Sequence, residues 1–195
     1  MENEIKEPAP KYNYISPEDY FEIVRTSESR YEYYDGQVIE LSGANWQHNS
    51  IEANLRDDLR DFLKGQECSV KGSNVPVTNS LRNSYMLPDI LIYCGKPELE
   101  KIVLDTLLNP AVIFEILSPS TRGMDKKVKR NYYKEIPTLR EYIMIDSQKR
   151  EVTVLRKQSG NEWESEEIIT GSNNLFIETI TYELTLPEIY KDTGL

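Results

Sequence analysis

The sequence predicts a single α/β domain whose core runs helix–strand–strand–strand–helix–strand, with additional β-strands at both ends. Two apolar runs of strand length each contain one carboxylate, and an amphipathic segment of helical period precedes them. A second amphipathic segment follows and leads into another apolar strand. Because 195 residues suit one domain with a substantial core, we assign residues 16–195 to it and residues 1–15 to a flexible N-terminal arm.

The N-terminal part of the domain contains two helices separated by a hairpin. Residues 16–18, Ser-Pro-Glu, are a typical helix start, and this helix is expected to reach about Thr26. The Tyr-Asp-Gly sequence at 34–36 favours a tight turn between two strands. Apolar residues then recur at helical spacing over about 48–64, and Gly65 ends this helix.

The remaining elements follow from apolar runs and their breaks. Strands are expected at about 68–78, 88–94, 111–118 and 141–146, with antiparallel strands at 151–155 and 163–170. Segment 95–110 is expected to be a loop that holds a short helix or an insertion. A helix is predicted over about 124–135, before Pro137, and a short helix or turn over 185–191.

Composition limits the partners and the compartment. No apolar stretch approaches the roughly 20 residues of a membrane span, and the N-terminus lacks the regions of a signal peptide. We therefore expect a cytoplasmic protein without a membrane partner. Cys68 and Cys94 lie in separate strand-like runs outside any CxxC pattern, which favours buried free thiols over a disulfide.

The net charge of −10 argues against broad, tight binding to nucleic acid, because phosphate neutralisation requires cations. One local concentration of cations exists, although such a run is also typical of a solvated helix face. It consists of Arg122, Lys126, Lys127, Lys129, Arg130 and Lys134.

The two strand carboxylates, Asp89 and Glu115, carry the functional prediction. A buried carboxylate is costly unless it is paired, hydrogen-bonded or bound to a metal ion. If the strands are neighbours, alternation of side chains lets the two acids meet on one face, as in a hard-cation site. The alternative is a structural pair of acids bridged to Lys129 or Arg122.

The following helix is expected to lie over Glu115. Its spacing predicts one side with Lys126, Lys129 and Tyr133, and an opposite, packing side with Met124, Val128 and Tyr132. Lys129 is the best-placed cation, and Asp125 is expected to cap the helix.

These stretches together resemble a known family. The resemblance lies in Pro88-Asp89, residues 114–121, Asp125, Lys129, Tyr133, Pro137 and 141–146, with Arg30 to Gly36 and His48 upstream. They are similar to the Uma-two family of candidate restriction endonucleases, within the PD-(D/E)xK nuclease superfamily, over roughly residues 16–155. The resemblance implies a restriction-endonuclease-like αβββαβ core on a mixed sheet. It also implies a metal-dependent endonuclease acting on nucleic acid, with DNA as the expected substrate, Mg²⁺ or substituting Mn²⁺ as cofactor, and possible homodimerisation.

The resemblance also assigns roles to individual residues. Asp89 and Glu115 would bind the metal, and Lys129 would replace the usual lysine two residues after the Glu, where this chain has Leu117. Glu32 could complete the metal shell, His48 could act as a base or phosphate contact or only cap or pack, and Tyr133 could touch substrate or pack. Independently of the resemblance, the local concentration of cations makes Arg122, Lys126, Lys127 and Arg130 the expected nucleic-acid contacts.

Two other functions are compatible with parts of the sequence. A noncatalytic interaction or DNA-binding module that retains the fold is favoured by Leu117 and by the acidic charge. A serine hydrolase using Ser118 or Ser120 is disfavoured, because the chain lacks a Gly-x-Ser-x-Gly elbow there.

Overall fold

Two six-stranded sheets and a short hairpin make up most of the computed structural model, which describes residues 14–101, 105–119, 122–158, 162–164 and 166–195. No helix in those ranges is long and apolar enough to cross a membrane. The helices are α1 (Pro17–Thr26), α2 (Trp46–Phe62), α3 (Arg130–Lys134) and α4 (Leu186–Ile189), with a π-helical segment (Met124–Lys129) before α3 and a 3₁₀ turn (Glu178–Ile180). The strands are β1 (Tyr31–Tyr34), β2 (Gln37–Glu40), β3 (Cys68–Gly72), β4 (Val77–Thr78), β5 (Ser84–Met86), β6 (Ile90–Cys94), β7 (Leu99–Lys101), β8 (Asp105–Leu107), β9 (Val112–Leu117), β10 (Glu141–Asp146), β11 (Glu151–Arg156), β12 (Glu167–Thr170), β13 (Asn174–Ile177) and β14 (Tyr182–Thr185).

The central sheet has the order β12-β11-β10-β9-β6-β3. Strands β3, β6 and β9 are antiparallel neighbours, whereas β10 runs parallel to β9 after the crossover through the π-helical segment and α3. Helix α2, these four strands and the crossover helix form the αβββαβ succession. The predicted mixed-sheet core is therefore confirmed.

The two faces of the central sheet bury different partners because alternate side chains point to opposite sides. Phe114 and Ile116 pack with Ile51 and Leu55 of α2 and with the C-terminal hairpin and α4. On the other face, a second cluster joins Ile113, Leu117 and Tyr142 to Tyr133 of α3 and to the second sheet. Glu115 lies on this second face, between the two sheets.

The second sheet, in the order β2-β1-β5-β4-β8-β7, was largely missed by sequence analysis. The predicted strand 68–78 is two strands in different sheets, β3 and β4. The segment expected to be a loop with a helix or insertion contains the antiparallel strands β7 and β8, with residues 102–104 between them outside the described ranges. Only the β1–β2 hairpin was predicted, and Asp35 and Gly36 form its turn with positive φ angles of 43° and 89°.

Local capping fixes the two N-terminal helices. The Ser16 side chain accepts the Asp19 N–H at the start of α1, as predicted, and Asn45 accepts the His48 N–H at the start of α2. Helix α2 thus begins two residues before the predicted start. The predicted arm, residues 1–15, lies outside the described residues except for its last two. Of these, Ile15 donates its N–H to the Gly36 carbonyl at 2.9 Å.

The expectation of free thiols is wrong. Cys68 and Cys94 are directly opposite each other in the antiparallel β3–β6 pair and form a disulfide, and both are half-buried. The two cysteines are 26 residues apart in the sequence, so their pairing could not be predicted without the register of β3 against β6. Disulfides persist mainly in oxidising compartments. The two cysteines therefore no longer support the cytoplasmic assignment, which stays a prediction.

Candidate functional site

Asp89 and Glu115 lie opposite each other on neighbouring strands. The antiparallel register pairs Ile90 with Phe114, and continuing it by one residue beyond β6 puts Asp89 opposite Glu115. Asp89 immediately precedes β6, and its Oδ2 accepts the Ile116 N–H at 2.7 Å. Both carboxylates line a cavity of about 510 Å³. The convergence expected from strand alternation is present in the structure.

Glu115 is only 3% exposed and is held by two donors. Its Oε1 accepts the Tyr133 hydroxyl at 2.6 Å and lies 3.1 Å from the Lys129 Nζ. Burial raises the pKa of Glu115 well above its usual value, the charge of Lys129 opposes this rise, and the nearby Asp125 and Asp89 reinforce it. The environment thus holds more negative charge than the lysine neutralises.

Lys129 connects three carboxylates while itself only 6% exposed. Its Nζ lies 3.0 Å from Glu32, 3.1 Å from Glu115 and 3.4 Å from Asp125. Burial alone would lower the pKa of Lys129, but the surrounding acids, Glu115 and Glu32 foremost, raise it well above its usual value. Lys129 is therefore a permanent cation at neutral pH. The position two residues after Glu115 is Leu117, which packs in the apolar core.

Glu32 reaches the same site from β1 in the second sheet. Its Oε1 accepts the Leu87 N–H at 2.8 Å, and its Oε2 accepts the Tyr34 hydroxyl at 2.7 Å. Together with the Lys129 contact, these bonds engage both oxygens of a carboxylate that is 1% exposed. Glu32 is thus built into the contact between the two sheets.

His48 approaches Asp89 from the first turn of α2. The His48 Nε2 lies 3.2 Å from the Asp89 Oδ1, and both side chains are mostly buried. Burial lowers the pKa of His48, but the hydrogen bond and charge of Asp89 outweigh it, so the pKa lies above its usual value. Asn45, rather than His48, supplies the side-chain cap of α2.

Asp125 is a site residue that sequence analysis took for a helix cap. No side-chain cap bond forms at this helix start, and Asp125 is 2% exposed within the cavity lining. The Tyr142 hydroxyl donates to its backbone carbonyl at 3.1 Å. The i, i+4 spacing of Asp125 and Lys129 was the available signal, because such pairs share one side of a helix.

The helix face predicted over Glu115 needs correction as well. The buried side consists of Asp125, Lys129 and Tyr133, whereas Lys126 is only half-buried and Val128, assigned to the packing side, is exposed. The Arg130 N–H bonds to the Asp125 carbonyl five residues earlier, which is the π-helical pattern. The wider turn changes which residues face the sheet.

The four predicted nucleic-acid-binding residues, Arg122, Lys126, Lys127 and Arg130, do not belong to the described lining of the cavity. Arg122 forms an ion pair with the buried Asp146, and its Nη2 donates to Oδ1 at 2.7 Å, while Arg130 pairs with Glu166. Lys127 is exposed. Ser118 lines the cavity, and Ser120 lies outside the described residues.

Three comparisons with known proteins agree with this fold. The chain is 26% identical over 156 residues to the uncharacterized protein slr1290 of Synechocystis sp., covering 80% of this chain and 81% of the relative. It is also 26% identical over 149 residues to the uncharacterized protein sll1609 of the same organism, covering 76% and 84%.

A solved structure shares the architecture. It is a crystal structure from Anabaena variabilis, described as a "putative nuclease belonging to DUF820", with a TM-score of 0.70 and 18% identity over 84% of this chain and 91% of that one. A family model described as "Uma2: Putative restriction endonuclease" matches residues 17–188, which is most of the chain. The chain therefore belongs to the Uma2 family, as its motifs indicated.

Proposed function

We propose that the protein is a metal-dependent endonuclease that hydrolyses phosphodiester bonds of nucleic acid, with DNA as the expected substrate. The observation that carries the proposal is the facing pair Asp89 and Glu115 at an open cavity, with the Lys129 ammonium 3.1 Å from Glu115. Membership of the Uma2 family supports the same reaction class. Homodimerisation is part of the proposal because cutting both strands of a duplex requires two such sites.

The donor groups suit a hard divalent cation. Mg²⁺ is usually held by one or two carboxylates and several waters, and Mn²⁺ accepts the same oxygen ligands. Asp89 and Glu115 provide two such groups, and the described residues contain no cluster of three or more His, Cys, Asp or Glu arranged as a complete metal cage. Burial raises the pKa of Glu115 most, the neighbouring carboxylates raise it further, and a bound cation would relieve the repulsion among these acids. When bound, the metal would activate water and stabilise negative charge on the phosphate.

The protein groups would hold these ligands in place. The Ile116 N–H and His48 fix the two oxygens of Asp89, while Tyr133 and Lys129 fix Glu115. This arrangement assigns His48 to positioning Asp89 and Tyr133 to positioning Glu115. Hydrogen-bonding partners of this kind orient metal ligands and raise metal affinity.

Lys129 would supply the positive charge beside the scissile phosphate. The weakest of its three contacts, at 3.4 Å to Asp125, is the one that a phosphate oxygen would replace. Glu32 would hold the Lys129 ammonium, which lies 3.0 Å away, while Leu87 and Tyr34 donate to its two oxygens. Lys129 stays protonated throughout and acts as an electrostatic stabiliser.

A noncatalytic module with the same fold is the second candidate. The observation that favours it is that Lys129 already pairs with three carboxylates, so the acids could serve structure alone. In that case Asp89→Asn and Glu115→Gln would change stability and leave metal affinity as it was.

Calorimetric titration with Mg²⁺ and Mn²⁺ separates the two candidates. We expect wild type and the control Asp57→Asn, an exposed carboxylate of α2, to bind the ions equally. The double variant Asp89→Asn/Glu115→Gln should lose this binding while remaining folded by circular dichroism. Binding that survives in the folded double variant would contradict the proposed metal site, and absence of binding in the wild type would favour the noncatalytic module.

A further inference from the structure

The cavity above Glu115 offers a nucleic acid few cations. Its described lining includes five carboxylates and two strongly basic side chains, Arg30 and Lys129. Lys129 is 6% exposed and is paired with three carboxylates. Arg30, by contrast, is exposed at the mouth. A phosphate backbone entering this acidic cavity would therefore meet Arg30 before any other strong cation of the described lining.

The position of Arg30 follows from the β1 strand. Side chains two residues apart along extended backbone share a face, so Arg30 lies on the same side as Glu32. The Leu41 N–H donates to the Arg30 carbonyl at 2.8 Å, which extends the β1–β2 pairing to this residue. Glu32 is 1% exposed and contacts the buried Lys129. About 7 Å of extended backbone therefore separates this buried contact from Arg30 at the mouth of the cavity.

The guanidinium of Arg30 is held only weakly by the protein. It donates to the Ser73 carbonyl at 3.4 Å, and no acidic side chain of the described residues forms an ion pair with it. Arg122 and Arg130 are instead paired with Asp146 and Glu166. A guanidinium has five N–H donors in a fork that matches phosphate oxygens, so Arg30 retains most of its binding capacity.

We propose that Arg30 is a phosphate-anchoring residue that holds the nucleic-acid backbone next to the phosphodiester positioned over Glu115. The inference rests on the proposed nuclease function and extends it to the path of the substrate. The nucleic-acid backbone would enter across the edge of the β1–β2 hairpin. The phosphate deeper in the cavity would then lie near Lys129. This anchor would offset the repulsion between the substrate and a chain of net charge −10.

The test combines binding and cleavage in matched variants. Fluorescence anisotropy measures the Kd of short labelled single-stranded DNA, duplex DNA and RNA over a range of NaCl concentrations, in Ca²⁺, which also takes oxygen ligands. Cleavage of the same oligonucleotides in Mg²⁺ yields KM and kcat. The variants are Arg30→Ala, Arg30→Lys and the control Arg25→Ala, which removes an exposed arginine of α1 that pairs with Glu22.

For the oligonucleotides that the wild type binds, Arg30→Ala should raise Kd and KM about tenfold, with little change in kcat, because one charge-assisted contact is lost. The slope of log K against log salt should fall by about one. Arg30→Lys should keep the wild-type slope, and Arg25→Ala should match wild type.

Two results would overturn the inference in distinguishable ways. If the wild type binds and cleaves while Arg30→Ala matches Arg25→Ala in Kd, KM and slope, the anchor is wrong but the nuclease assignment stands. If the wild type neither binds nor cleaves any of the oligonucleotides, the nuclease assignment itself is wrong and the anchor with it. A melting curve for Arg30→Ala that equals the wild-type curve ensures that these differences report binding rather than folding.

Discussion

At the scale of single residues, Lys129 is the buried cation that contacts three acids of the site. One ammonium faces Glu32, Glu115 and Asp125, which come from β1, β9 and the π-helical segment. The superfamily pattern expects this lysine two residues after Glu115, but Leu117 occupies that position and packs in the apolar core. Lys129, from the π-helical segment over the sheet, instead brings its ammonium within 3.1 Å of Glu115.

Replacing Lys129 with Met should destabilise the fold by about 3 kcal/mol, because removing one partner leaves buried carboxylates uncompensated. Urea unfolding at neutral pH measures this change. Lys127→Met, which removes an exposed lysine from the same segment, should have a much smaller effect. Equal midpoints for the two variants would mean that the cluster does not depend on the Lys129 charge.

Tyr133→Phe tests how Glu115 is positioned. The substitution keeps the buried ring and removes only the hydroxyl that donates to Glu115 at 2.6 Å. Mg²⁺ affinity should fall about tenfold, because partners that orient a metal ligand contribute on this scale. Calorimetric titration measures it, with Tyr132→Phe as the neighbouring control. An unchanged affinity would assign Tyr133 to packing alone.

The residues predicted from sequence were the ones with a pattern specific to strands or to the family. Asp89 and Glu115 interrupt apolar strands, and alternation was enough to place them on one face. Asp125 was missed because an acid near a helix start usually caps it, and this expectation outweighed the i, i+4 spacing that predicts its ion pair with Lys129. Arg30 lies in a stretch that resembles the family, but its proposed role was not predicted, because its exposure and its lack of an ion pair with the described residues are tertiary properties.

At the scale of elements, the π-helical segment explains why the helix face was predicted incorrectly. The prediction assumed 3.6 residues per turn, which groups Lys126 with Lys129 and Tyr133. A bond from the Arg130 N–H to the Asp125 carbonyl widens the turn, and Asp125 joins the buried side instead. π-Helical segments occur frequently at functional sites, and no sequence pattern in this chain predicts one.

Arg122, in the loop between β9 and the π-helical segment, forms an ion pair with Asp146. The stability that this ion pair contributes should depend on pH. The ion pair with Arg122 and the Gln148 N–H outweigh the effect of burial and lower the pKa of Asp146. Because the folded pKa lies below the unfolded value of about 3.9, the stabilisation is complete above that value and is lost as pH falls through the folded pKa.

Urea unfolding of wild type and Asp146→Asn over a range of acidic pH tests this contribution. The stability difference between them should be constant near neutral pH and shrink as the acid range is entered. Glu188→Gln is unsuitable as a control because its carboxylate also has a lowered pKa, so Asp57→Asn serves that purpose. A difference that is independent of pH would exclude the ion pair as its source.

The disulfide between β3 and β6 should contribute measurably to stability. It closes a loop of 26 residues, and the chain-entropy estimate for such a loop is about 3 kcal/mol. Reduction, or the double variant Cys68→Ala/Cys94→Ala, should lower the melting temperature, and the reductant should then have no effect on the double variant. Identical melting curves for oxidised and reduced wild type would contradict this contribution.

The second sheet marks the limit of sequence-based prediction for this chain. Strands β4, β5, β7 and β8 have only two or three residues each, too few to establish a period of two. They are strands because they pair with one another, β4 with β5 and β7 with β8 locally and β4 with β8 over a longer stretch, as Val77 does with Leu107. The central sheet was predictable because its strands have four to six residues and the middle ones, such as β6 and β9, are mostly apolar.

At the scale of the whole molecule, the two sheets and the crossover helix place a small acidic cavity between them. Glu32 comes from one sheet and Glu115 from the other, and Lys129 from the helix joins them. The net charge of −10 and this cavity together call for a cation at the site and favour local rather than extended contact with nucleic acid. The composition indicated an excess of negative charge, but only the fold shows that acids concentrate in this cavity.

Nuclease activity of wild type and Glu115→Gln, purified identically and assayed with plasmid DNA, single-stranded DNA and RNA in Mg²⁺, Mn²⁺ or EDTA, tests the central claim most directly. We expect the wild type to cleave in Mg²⁺ or Mn²⁺, EDTA to abolish cleavage, and the variant to lose it while Asp57→Asn retains it. Equal cleavage by wild type and Glu115→Gln, or a wild type inactive on all three substrates, would contradict the account.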